Sequence, residues 1–302
     1  MLKIILHGSL KIIISLIFSF SALETKSQNK AQLIQDLKGL SSEEMEGRKP
    51  GTIGHKMAQR YILKRFDESG VVPYFQSSSE PFEINVSKEK VVRGENIIGK
   101  INGRLDKTIV ISAHYDHLGK KDGKIYFGAD DNASGVAALL YIADYFKGNK
   151  PNHTIILAAF DGEESGLKGA QHFVANLKEQ EVILNINMDM ISRSDSKEIY
   201  VCGTRYNSEL KPTLEMVNKS NPNVTLKFGH DGLTIGEQDW TYSSDHGPFH
   251  KKEIPFVYFG VEDHADYHRH SDTFDKVDTD FYSDVVDMIL NFVKEIDDRT
   301  EL

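Results

Sequence analysis

Short apolar runs alternate with longer amphipathic stretches along most of this chain. Thr108 to Ala113 (TIVISA), Thr154 to Phe160 (TIILAAF), Val182 to Met188 (VILNINM) and Pro255 to Val261 (PFVYFGV) are nearly continuous in apolar residues. That is the pattern of strands covered on both faces. Ala31 to Leu40 instead spaces its apolar residues at Leu33, Ile34, Leu37 and Leu40, and Met57 to Phe66 does the same with Met57, Ala58, Tyr61, Ile62 and Phe66. Helical spacing continues in Ser134 to Phe146, Gly166 to Leu177 and Leu210 to Lys219, and Thr279 to Ile296 closes the series with Phe281, Val285, Ile289, Phe292 and Ile296. Strand and helix alternation of this kind predicts an α/β domain with a mostly parallel (mixed) central sheet flanked by helices on both faces. No long Pro, Ser or Gly linker and no internal repeat interrupts residues 28–302, which are expected to form a single domain.

The amino terminus has a different character. Lys3 and Lys11 flank a short apolar start, Ile12 to Phe20 (IIISLIFSF) forms a hydrophobic core, and small residues follow at Ser19, Ser21 and Ala22. Residues 1–22 are therefore expected to be a signal peptide. An uncleaved anchor is the alternative, although the run is shorter than the roughly 20 residues that span a bilayer. Cleavage would leave an exported protein, periplasmic or secreted, with no stable membrane association. The one cysteine, Cys202, is far from this segment, so a lipid anchor on a cysteine behind the signal is excluded.

Composition narrows the function classes. Of 302 residues, 39% are apolar and 27% charged, ordinary values for a globular chain. Thirty-six Lys and Arg against forty-five Asp and Glu leave a formal charge of −9, with no basic block to neutralise a run of phosphates. No nucleic-acid partner is expected. A single thiol makes neither an internal disulfide nor a Cys-based metal site, so any metal must rest on His and carboxylate groups.

Those groups collect where the predicted strands end, the edge at which open α/β sheets bind ligands. The first strand runs into His114-Tyr115-Asp116-His117, and Gly128-Ala129-Asp130-Asp131-Asn132-Ala133-Ser134-Gly135 leads into the next helix. The second strand runs into Asp161-Gly162-Glu163-Glu164-Ser165-Gly166, the third into Asp189, and the last is followed by Tyr267-His268-Arg269-His270-Ser271-Asp272-Thr273. Each has an ordinary explanation: a hydrogen-bonded His-x-Asp pair, an Asp or Asn helix cap, a solvated acidic loop, an exposed His. Taken jointly they are hard to assign to capping and solvation alone, because a carboxylate at the end of a dry strand is costly unless paired or metal-bound. Two His and three carboxylates can hold a pair of divalent ions such as zinc, with one carboxylate bridging them.

At these residues the chain resembles the co-catalytic di-zinc aminopeptidases, a family that also contains glutamate carboxypeptidases and, as a one-zinc offshoot, the glutaminyl cyclases. The likeness runs from Met45-Glu46-Gly47-Arg48 and Gly51-Thr52-Ile53-Gly54 to Tyr267-His268 and Asp272-Thr273. It implies two Zn2+ ions, with His114 and Asp189 the terminal ligands of one, Glu164 and His268 those of the other, and Asp131 bridging. It further implies that Glu163 is the general base, that Asp116 orients His114, and that the Asp131-Asn132 peptide is cis. Ser244-Asp245-His246 also resembles a family segment and receives no catalytic role; His117, His264 and His270 are not assigned as ligands. The stretch from Val72 to Asn96 is too short for the domain some relatives insert there. The implied activity is hydrolysis of amino-terminal residues from peptide substrates. Glutaminyl cyclisation, or a binding module of the same fold without turnover, are the alternatives.

The signal reading predicts that protein isolated from its native host begins between Ala22 and Gln28 when its mature amino terminus is determined by mass spectrometry. A soluble cytosolic form that retains Met1 would refute it.

Overall fold

Seven apolar residues in a row, with no polar position to face water, demand a strand with cover on both sides, and Thr154 to Phe160 receives it. In the computed structural model, which describes residues 30–87, 90–177, 182–232 and 238–299, strand β7 (Thr154–Phe160) lies beside β4 (Thr108–His114), and β4 lies beside β8 (Val182–Met188). β11 (Phe256–Gly260) continues on the far side of β8, and these four strands all run parallel. The predicted bounds of β7 and β8 coincide with the observed ones. The expected signal segment, residues 1–22, lies outside the described residues.

Antiparallel additions extend the sheet on both sides of this parallel centre. On one side β3 (Lys90–Ile101) pairs with β7 and carries β1 (Val72–Pro73) and β2 (Ser79–Ser87). On the other, β9 (Glu198–Cys202) pairs antiparallel with β11 and carries β10 (Thr225–Phe228) in parallel. The result is a mixed nine-stranded sheet, with a separate hairpin of β5 (Gly119–Lys121) and β6 (Lys124–Tyr126). The outer strands escape apolar-run reading because they mix exposed and buried positions: β3 buries Ile97 and Ile98 but leaves Val91 exposed.

Period-two alternation divides β4 between two cores. Ile109, Ile111 and Ala113 join the larger cluster with a helix over residues 30–40, α2 (Ile53–Glu68), α3 (Gly135–Gly148), α5 (Lys211–Lys219) and α7 (Thr279–Asp297). Val110 faces the smaller cluster under α4 (Lys168–Asn176) and α6 (His246–Lys251), where Phe173 meets the rings of Phe160, Phe249 and Tyr74. The sheet is thus covered on both faces, as the alternation predicts. Two helix starts are capped by side chains, Thr52 accepting from the amide of His55 and Asp278 from that of Phe281. Among the described residues no helix is long and apolar enough to cross a membrane.

Because Phe173 is fully buried within that aromatic cluster, Phe173→Ala is expected to destabilise the fold by about 3–5 kcal/mol. Urea unfolding of the purified variant measures this; a loss below about 1 kcal/mol would show that the smaller core closes over the gap.

Candidate metal centre

Four parallel strands have their carboxyl ends at one edge, and each delivers polar residues there. β4 ends on His114 itself, Glu163 and Glu164 follow the end of β7, Asp189 follows β8, and the connection after β11 brings His268. Asp131 comes from the turn Ala129–Ser134 ahead of α3, whose backbone leaves helical angles at Asp131 and Asn132. The Asp131–Asn132 peptide bond is cis, as the resemblance implies. Asn132 anchors this turn at both ends: its Oδ1 accepts from the amide of Gly135, and its Nδ2 donates to the carbonyl of Met188.

The residues expected as ligands come together in two groups that share Asp131. In one, His114 Nε2 lies 3.2 Å from Asp189 Oδ1 and 3.4 Å from Asp131 Oδ1. In the other, His268 Nε2 lies 3.2 Å from Asp131 Oδ2 and 3.2 Å from Glu164 Oε2. Two ligands each ~2.0–2.2 Å from a tetrahedral zinc lie roughly 3.3–3.6 Å apart, so these spacings suit donors arranged around a common ion. His117, which sequence reasoning left out, is also here: its Nδ1 is 2.7 Å from Glu164 Oε1 and 3.6 Å from Asp131 Oδ2. His264 instead faces Asp130 at 3.1 Å, and His270 meets Lys124 at the surface.

A framework of buried polar groups holds the cluster. Arg48, fully buried, donates to the carbonyls of Leu40, Tyr115, Phe127, Gly128 and Asp131, tying the Met45–Arg48 segment to the loop that carries Asp131. Gly47 is required beside it: φ is +69°, and a Cβ would sit 2.2 Å from the carbonyl oxygen of Tyr126. Asp272 accepts from the amides of Asp130 and Asp131. Ser244 donates to Asp189 Oδ2 at 2.7 Å and receives Asn187 Nδ2, which gives the Ser244 segment a structural task. Asp116 lies against His114 and also supports the backbone at Glu163. His114 Nδ1 is 3.2 Å from the Asp116 carbonyl and 3.7 Å from its carboxylate, which accepts the backbone N–H of Glu163 at 3.0 Å.

Crowding of acids dominates the electrostatics. Burial pushes the Glu163 carboxyl well above the usual carboxylate range; neighbouring Asp189, Asp245 and Glu164 push it further, against the pull of His114. Burial acts on Asp131 too, but His117, His114 and His268 outweigh it and hold Asp131 well below its ordinary value. Glu164 is also lowered, its burial and the charge of Asp131 outweighed by His117 and His268. Hydrogen bonds to Asp131 and Glu164 lift His268 to about 10. Asp245, buried with both oxygens unpaired among the described residues, is pushed up to about 8 by desolvation. Beside the cluster opens a cavity of about 400 Å3, walled by Leu167, Met190, Trp240, Tyr258 and Tyr267.

Residues 96–293 match the model of peptidase family M28. The chain belongs to that family. Aminopeptidase YwaD of Bacillus subtilis is 32% identical to this M28 chain over 173 residues, covering 55% of the chain and 35% of the relative. A probable zinc metalloprotease of Pyrenophora tritici-repentis is 38% identical over 100 residues, 31% of the chain and 23% of that protein. The chain thus spans about a third or less of the length of these relatives. In fold it resembles Legionella pneumophila LapA, with a TM-score of 0.70 at 19% identity over 91% of this chain and 77% of LapA. It likewise resembles the glutaminyl cyclase of Porphyromonas gingivalis, with a TM-score of 0.73 at 18% identity over 88% and 98% of the two chains.

A His268 raised to about 10 carries a proton at pH 7 in the metal-free M28 chain, and His114 is likewise raised well above its ordinary value: burial opposes the charge there, but Asp189 and Glu163 overcome it. A metal ion must displace these protons, so metal affinity should fall as pH falls, by about tenfold per unit for each proton released. Calorimetric titration with zinc at pH 7 in buffers of different ionisation enthalpy should report at least one proton released per ion bound. Proton-neutral binding would contradict the assignment.

Proposed function

We propose that this M28 chain is an exported metallo-exopeptidase that hydrolyses amino-terminal residues from peptides at a bridged two-zinc centre, with Glu163 as the general base. The observation that carries the reading is the division of Asp131: Oδ1 faces the group of His114 and Asp189, and Oδ2 faces that of His268 and Glu164, with His117 beside the second group. The donors fit zinc, being imidazole nitrogens and carboxylate oxygens without thiolate; the Cys202 thiol lies elsewhere, on the carbonyl of His230. Their charges fit as well, since Asp131, Glu164 and Asp189 gather three carboxylates at one largely buried place, a concentration of negative charge that suits divalent cations. When bound, such ions polarise a scissile carbonyl and lower the pKa of an attacking water.

The rest of the work falls to the chain. Glu163 takes the proton of the attacking water and delivers it to the leaving amine. A carboxyl with raised proton affinity suits a group that must hold a proton between two steps, and the hydrogen bond that its backbone N–H donates to Asp116 Oδ1 fixes the backbone from which it projects. The apolar wall of Leu167, Trp240, Tyr258 and Tyr267 gives a peptide's terminal side chain a place to dock. Export rests on Lys3, Lys11 and the run Ile12 to Phe20. A cyclase that works with one zinc needs a single donor group, whereas two groups sharing a carboxylate favour hydrolysis. Retention of Glu163 favours turnover over a binding module.

Purified, zinc-loaded protein should release amino acids from aminoacyl amides and unblocked peptides and leave amino-terminally blocked peptides intact. Cyclisation of glutaminyl peptides without hydrolysis, at one zinc per chain, would overturn the proposal. Glu163→Gln keeps the side chain's shape and removes the base, so turnover should fall by ~10²–10⁴-fold with metal content unchanged. Glu164→Ala should lose metal and activity together, and thermal stability with them. The reverse pattern between the two variants would exchange their roles.

A further inference from the structure

His117 stands in the metal cluster without an assigned task. It is buried, its Nε2 has no partner among the described residues, and its Nδ1 is aimed at the carboxylates. The separations differ in kind. Around His114 and His268 the nitrogen-to-oxygen distances are 3.2–3.4 Å, the spacing of neighbouring ligands. His117 Nδ1 also lies 3.6 Å from Asp131 Oδ2, within reach of the same ion, but its distance to Glu164 Oε1 is 2.7 Å, that of a hydrogen bond to a charged acceptor. The second oxygen of Glu164, Oε2, faces His268.

We propose that His117 is a positioning residue for Glu164: its Nδ1–H donates to Oε1 and thereby leaves Oε2 as the oxygen presented to a metal beside His268 and Asp131. A carboxylate only accepts, so the proton must sit on Nδ1. The ring is held from outside the cluster. Gly128 lies against it so closely that a Cβ there would be 2.6 Å from the His117 Cδ2, and Arg48 bonds the carbonyls of Gly128 and Asp131 on either side of the same turn. Outer partners of this kind typically change metal affinity by about 10–100-fold when removed.

The inference rests on the metal centre proposed above, and its test separates the two. His117→Asn places an amide N–H near the position of Nδ1 but offers a poor metal ligand, His117→Gln places its amide near Nε2, and His117→Ala removes both. Competition of zinc-loaded protein with a chromophoric chelator should show one of two ions weakened about 10–100-fold in the Ala and Gln variants and restored to within about threefold by Asn. Thermal unfolding of the metal-free variants identifies any that fail to fold. Unchanged affinity in the Ala variant, or an Asn variant as weak as Ala, overturns the proposal; the second result would make His117 a ligand. Nitrogen-15 NMR of labelled histidine in metal-free protein gives an independent reading, with a protonated Nδ1 expected on His117 that changes in Glu164→Ala. A His117 Nδ1 without a proton overturns the inference whatever the metal count. A wild-type protein that binds one ion with unaltered affinity in Glu164→Ala refutes the two-zinc reading, and the NMR result then decides the hydrogen bond alone.

Discussion

Asp131, Glu163, Glu164 and Asp189 crowd negative charge at one edge of the sheet, Asp131 and Asp189 buried and the two glutamates partly so, and the surrounding structure answers that crowding. Buried carboxylates gathered this way are stable only if protonated, paired or bound to cations. Three imidazoles supply part of the compensation, and the fully buried guanidinium of Arg48 stands behind the Asp131 loop. The carboxylates do not all respond alike. Asp131 and Glu164, which face the imidazoles, are held down, whereas Glu163 is driven up. Carboxyls of opposite proton affinity are thereby placed side by side, one suited to bind a cation and one to carry a proton.

Rigidity of this cluster is a property of the sheet. Parallel strands end at a common edge, so β4, β7, β8 and β11 bring residues widely separated in sequence to one place. Side chains beneath add a second level of order: Ser112 donates to Asn187, Asn187 to Ser244, and Ser244 to Asp189, a polar line that runs from the sheet to the cluster. A network with each member bonded fixes geometry more firmly than packing alone. The aromatic cavity wall and the polar cluster consequently meet at one opening.

Membership of family M28 and the shared fold of LapA and the glutaminyl cyclases place two chemistries on one architecture. Fold therefore does not discriminate between them, and the discriminating information lies in the side chains. For this chain the informative feature is a carboxylate whose two oxygens serve different partners. It bears directly on how many ions the site is equipped to hold.

The sequence by itself determined the central architecture, because continuous apolar runs and helical spacing are local consequences of burial and need no knowledge of partners. Strand ends also marked out the polar clusters that hold His114, Asp131, Glu164, Asp189 and His268, where ligands collect, and the resemblance to the di-zinc aminopeptidases singled out these five within them. The outer strands were not legible: β2, β3, β9 and β10 lie where burial is partial, so their pattern is weak. His117 was not legible either. Period-two alternation would set it opposite His114, but β4 ends at His114 and the chain then turns, so the rule that orders side chains within a strand no longer applies. Tertiary structure alone placed Asp116 on the amide of Glu163, Ser244 on Asp189 and Arg48 on five carbonyls, because hydrogen bonds between residues tens of positions apart depend on distance in space, which no local pattern records.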